Sequence, residues 1–183
     1  MSGHGGQCGT LSHDSLFHVT FKTTSLNNNL QVWKTDTGGW VWSSPCLFDE
    51  FLFVGSYDGH VYCLHQQDGK EAMRLSGPAS PSDLNTPADR KVASSPCVLT
   101  LRQRRDDKED ARQREALVAY CFREGTLVLE KVVLGSTKDC SARQHTLCEV
   151  LKFQKMIFSS PVMIWDYLLL ATRDNHLYCM RIE

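Results

Sequence analysis

The sequence lacks an excess of either charge, a long apolar run and any cysteine pair at metal-binding spacing. Each absence removes a class of function. Twenty basic side chains stand against 21 acidic ones, a formal net charge of -1, so no global positive field recommends a nucleic acid as partner. No apolar stretch nears the ~20 residues that cross a bilayer as a helix. Residues 1–8 lack the basic-then-apolar order of a secretory signal. The expectation is a cytoplasmic chain with no membrane contact.

The eight cysteines include no Cys-x-x-Cys and no adjacent pair, so no zinc-ligand set is legible among them. Most sit in apolar runs, where a cysteine behaves as a small buried hydrophobe. Cys63 and Cys179 are therefore expected to be reduced, interior and slow to alkylate. The only glycine cluster, Gly3-His4-Gly5-Gly6, has no strand-to-helix context and is no phosphate loop. Leu134-Gly135-Ser136 lacks the second glycine of a serine that accepts phosphopantetheine. No catalytic, cofactor-binding or metal-binding residue is predicted, and no cofactor.

What is present is a repeat, the feature to seek first in any chain. The triplet Ser-Ser-Pro occurs as Ser43-Ser44-Pro45, Ser94-Ser95-Pro96 and Ser159-Ser160-Pro161. Each leads into a short apolar segment and then a second one. A turn follows, at Asp58-Gly59, Glu124-Gly125 or Asp174-Asn175, and a third apolar segment closes the unit. Pro45 to Gly59 is 14 residues, and so is Pro161 to Asn175. Pro96 to Gly125 is 29, the excess matching the charged stretch 102–115. From turn to next triplet the distances are 37 and 36.

Apolar runs this short, bounded by turn residues, predict strands rather than helices. Gly59, Gly125 and Asn175 share one position, where a tight hairpin needs a residue tolerant of positive φ. Asp58 and Asp174 are read as turn formers. The tryptophans Trp33, Trp40, Trp42 and Trp165 are read as blade packing rather than ligand stacking. Each unit is three antiparallel strands with a fourth in the stretch before the next triplet. Runs such as Val61 to Leu64 are apolar on successive residues and so need cover on both faces, as between the blades of a propeller. The prediction is an all-β chain, a partial β-propeller of about three four-stranded blades spanning 33–75, 76–135 and 136–183. A charged hairpin insertion occupies 102–115, and an ill-defined segment 1–32, either a degenerate blade or no blade, precedes the others. Within that segment Phe17 to Phe21 alternates like a strand.

The motif Trp33-Lys34-Thr35-Asp36-Thr37-Gly38, Ser43-Ser44-Pro45, Ser56-Tyr57-Asp58-Gly59, Val61-Tyr62-Cys63-Leu64 resembles the PQQ-like, quinoprotein-type propeller repeat. The likeness covers roughly 33–183 and is strongest in the first unit. Val61-Tyr62-Cys63-Leu64 and Leu177-Tyr178-Cys179-Met180 look most like the C-terminal propeller of the β-alanine-activating members of the acyl-CoA synthetase family. That resemblance implies a fragment or short form of an ATP-dependent ligase. Its adenylation and carrier domains have no counterpart here, so a non-catalytic scaffold is implied. Its partners would be another protein, the remainder of the propeller, or further copies joined through exposed blade edges. A PQQ-dependent dehydrogenase fragment is the alternative, without the adjacent cysteines that such enzymes carry.

Overall fold

The computed structural model describes residues 32–78, 90–101, 114–135 and 144–182. Every regular element among them is a strand: β1 Cys46–Phe48, β2 Phe51–Gly55, β3 Val61–His65, β4 Glu71–Leu75, β5 Cys97–Thr100, β6 Arg114–Phe122, β7 Thr126–Leu134, β8 Gln144–Lys152, β9 Val162–Ile164, β10 Tyr167–Ala171 and β11 Leu177–Arg181. They form three antiparallel meanders, β1-β2-β3-β4, β5-β6-β7-β8 and β9-β10-β11. The chain is a partial β-propeller.

The turns explain why the strands reverse where they do. Gly59 and Gly125 hold φ of 89° and 114°, and Asn175 holds 64°, the left-handed region that Gly and Asn enter most easily. A Cβ at Gly59 would lie 2.6 Å from the Arg90 carbonyl oxygen, and one at Gly125 would lie 2.6 Å from that of Phe153. Both glycines are thus also required by the close approach of the next repeat.

The repeats superpose by register. Cys46 pairs Phe53, Cys97 pairs Ala119 and Val162 pairs Leu169, each across the first hairpin of its sheet. Alternation along the strands gives every sheet two apolar faces. The front face looks toward the next repeat and the back face toward the previous one. Phe51, Phe53, Val61 and Cys63 on the first front meet Val118, Tyr120, Phe122 and Val128 on the second back. Leu117, Ala119, Leu127 and Leu129 on the second front meet Met163, Leu168 and Leu170 on the third back. Burying each Leu, Val or Phe contributes about 1.5–3 kcal/mol, so the stacked faces carry the fold.

Three expectations need correction. The 135/136 boundary divides one sheet, because β8 (Gln144–Lys152) pairs with β7. Its sequence Gln-His-Thr-Leu-Cys-Glu-Val-Leu-Lys is too polar to announce a strand. The third sheet has three described strands rather than four. The charged stretch 102–115 overlaps a strand, since Arg114 and Glu115 are the first two residues of β6. Arg114 lies 3.3 Å from Asp49 and Glu115 lies 2.8 Å from Lys131. Residues 102–113, and the strand-like Phe17 to Phe21, lie outside the described residues.

Candidate functional site

The three triplets do the same work at the same place. Ser43 Oγ donates to the Gly55 carbonyl at 2.9 Å and accepts from the Gly55 N–H at 2.8 Å. Ser94 does so with Cys121, at 3.3 and 2.9 Å. Ser159 does so with Ala171, at 2.6 and 3.2 Å. One hydroxyl thus satisfies both backbone groups at the end of the second strand, where the sheet itself offers no partner. The second serine of each triplet works between sheets. Ser44 N–H donates to Ser95 Oγ at 2.8 Å, and Ser95 N–H donates to Ser160 Oγ at 2.9 Å. A ladder of serines therefore runs across the inner strands.

Asp58 and Asp174 are engaged by their own hairpins. Asp58 accepts from the His60 N–H at 3.2 Å and from the Tyr62 hydroxyl. Asp174 accepts from the His176 N–H at 3.2 Å, from Tyr178 Oη at 3.1 Å and from the Thr172 hydroxyl. Burial, and then the Asp58 carboxylate, push the Tyr62 phenol up to about 12. The Asp174 carboxyl is held down at about 2, chiefly by the Thr172 hydroxyl. These carboxylates close turns and face no shared cavity. Among the described residues no cluster of His, Cys, Asp and Glu is arranged to hold a metal.

A polar cluster invisible in the sequence lies between the first and second sheets. The Glu130 carboxylate, 1% exposed, accepts from Tyr120 Oη at 2.6 Å and from the Gly77 N–H at 3.1 Å. His145 Nδ1 lies 2.8 Å from its other oxygen. The Tyr120 phenol is fully buried, and desolvation and then the Glu130 charge drive its pKa upward. Without an opening to either group, the cluster is a tie between β6, β7, β8 and the chain at Gly77. A groove of about 490 Å³ separates the outer parts of the second and third sheets, lined by Leu101, Leu117, Leu129, Leu151, Met180 and Ile182 among others. Lys131, Cys148, Glu149 and Arg181 also line it, and they form no metal-holding cluster.

The surface that stands out is apolar and exposed. On the third front, Val162, Ile164, Tyr167 and Leu177 are 46, 48, 45 and 70% exposed. At the other end Trp40, Trp42 and Leu47 are exposed, with Trp42 stacked on Tyr57 at 5.6 Å. The tryptophan reading is therefore corrected for three of the four. Trp40 and Trp42 border an uncovered edge, and Trp165 sits in the β9–β10 turn with φ of 52°. The cysteine reading is corrected as well. Cys63 and Cys121 are buried, but Cys148 and Cys179 are exposed. Cys179 lies on the third front, and no described sheet covers it. Large exposed apolar patches of this kind mark protein contacts.

No family model matches the chain, and no curated protein matches its sequence. Among solved structures it is similar to the WD40 domain of SCAP from fission yeast, at 9% identity and a TM-score of 0.42, over 73% of this chain and 29% of that one. It is similar to BamB from Moraxella catarrhalis at 11% identity and a TM-score of 0.36, over 82% of this chain and 49% of that one. The computationally designed Ika4 protein is similar at 10% identity and a TM-score of 0.35, over 85% of this chain and 100% of that one. The chain thus spans less than a third of the first and about half of the second.

Proposed function

We propose that this chain is a non-catalytic propeller module whose exposed sheet faces bind protein. The uncovered third front, with Leu177 at 70% exposure, is the observation that carries the reading. Aromatic and aliphatic side chains held on a rigid sheet make good anchors for a protein contact. The finer proposal places the module in a cytoplasmic β-alanine-activating ligase of the acyl-CoA synthetase family. Its support is the two Val/Leu-Tyr-Cys-Leu/Met strands at β3 and β11 and the Thr37-Gly38, Ser-Ser-Pro and Asp58-Gly59 motifs.

Two measurements test these statements separately. The purified chain should show no β-alanine-dependent exchange between ATP and pyrophosphate, and exchange above a heat-inactivated control would overturn the non-catalytic reading. Sequencing the transcript upstream of Met1 should reveal an adenylation domain, and an upstream region without one would overturn the family proposal.

A further inference from the structure

The contact between neighbouring sheets is built twice in this chain, and at the two ends the inner edge of the first sheet and the front of the third stay uncovered. Val92 and Ile157, each four residues before its proline, are fully buried where the inner chain enters the preceding sheet. Pro96 and Pro161 are buried too. Met163, two residues after its proline, is 8% exposed. At the same positions of the first repeat Val41 is 47% exposed, Pro45 is exposed and Leu47 is 57% exposed. The inner edge of the first sheet thus carries an uncovered entering half, whereas Val54, Tyr62 and Leu64 on the same back face are buried, with Trp33 packed against them.

The third sheet carries the receiving half. Phe51, Phe53, Val61 and Cys63 on the first front are buried, as are Leu117, Ala119, Leu127 and Leu129 on the second. Their counterparts Tyr167, Leu177 and Cys179 on the third are exposed, and Leu169 is half-buried. The serine ladder ends in the same complementary way. Ser160 N–H is a donor at one end and Ser44 Oγ an acceptor at the other, and neither has a partner among the described residues.

We infer that a second copy of this chain supplies both missing halves. The third front of one copy packs on Val41, Pro45 and Leu47 of the other, and Ser160 N–H donates to the second copy's Ser44 Oγ. Each copy gives and receives once, so two identical head-to-tail contacts close around a twofold axis. Two copies bring about six blades, within the roughly four to eight with which propellers close. The inference rests on the module reading and names its partner.

Light scattering on the full chain after size exclusion tests it, with variants at two exposed positions. The wild type should elute as a two-chain species. Leu177→Asp and Leu47→Asp should each lower the association constant by at least about tenfold, with the circular dichroism of the wild type retained. If either variant fails to fold, the Ser variant at that position replaces it. Mixing the two should restore a two-chain species, because the first keeps an intact first sheet and the second an intact third front. Cys179 should alkylate quickly in Leu47→Asp and slowly in the wild type. A one-chain wild type, a ladder of growing species, or loss of association in Leu177→Asp alone would overturn the inference. A monomer that binds a different protein through Leu177 would overturn it and leave the module reading standing. A closed dimer whose surface binds no other protein would confine the module's binding to its own kind.

Discussion

Ser94 and Ser159 make the same pair of hydrogen bonds, yet Ser94 is fully buried and Ser159 only half so. Water can replace a hydroxyl at the half-open site and cannot reach the closed one. Ser94→Ala should therefore cost about 1–3 kcal/mol, since it strands a buried N–H and a buried carbonyl of Cys121. Ser159→Ala should cost less, and equal shifts in urea midpoint would contradict the assigned role. Asp174 gives a pH test. Its carboxyl is held at about 2 against an ordinary 3.8, first by the Thr172 hydroxyl. A folded pKa below the unfolded one stabilises fully above about pH 4, and the contribution is lost as pH falls through about 2. The stability difference between the wild type and Asp174→Asn should hold steady above about pH 5 and shrink steadily as pH falls from about 4 through about 2. Acid denaturation series on the two proteins provide the check.

The second sheet departs from its neighbours in a pair of residues on adjacent strands. Tyr120 stands where the other repeats have Val54 and Leu170, and Glu130 stands where they have Leu64 and Met180. Tyr120→Phe removes a donor from a buried carboxylate and should cost about 1.5–3 kcal/mol. Joining it to Glu130→Met should cost less than the sum of the singles, a coupling that a double-mutant cycle measures. This pair shows where reading from sequence stops. The triplets, the hairpin turns and the first three strands of each unit were legible, because Ser-Ser-Pro and the positive-φ residues are local chemistry at constant spacing. Of the outer strand only its place before the next triplet was legible and not its bounds, because β8 is held by ladder bonds to β7 while most of its side chains stay wet. Glu130 was not, because only the fold brings Tyr120, Gly77 and His145 around it. The exposure of Cys179 was missed for a related reason: an apolar strand is buried only if something lies against it, and that depends on neighbours rather than on its own residues.

At the scale of the whole molecule, the described sheets pack in sequence, the first on the second and the second on the third, a quasi-one-dimensional arrangement. The second sheet is covered on both faces and has four strands, whereas the third has one covered face and three described strands. Native-state hydrogen exchange on Leu47→Asp, which leaves the inner contacts intact, should find β6 and β7 slowest and β10 and β11 fastest, and uniform protection would contradict a nearest-neighbour account. The serine ladder gives this stack a further property. Because each rung joins the N–H of one triplet to the hydroxyl of the next, the series has a direction, as a polymer has a head and a tail. A directional chain of rungs has only two kinds of end, and they are complementary. Such a chain grows or closes by the rule that built its interior, so any end-capping mutation must be placed with regard to polarity: blocking the acceptor at Ser44 and blocking the donor at Ser160 silence opposite ends.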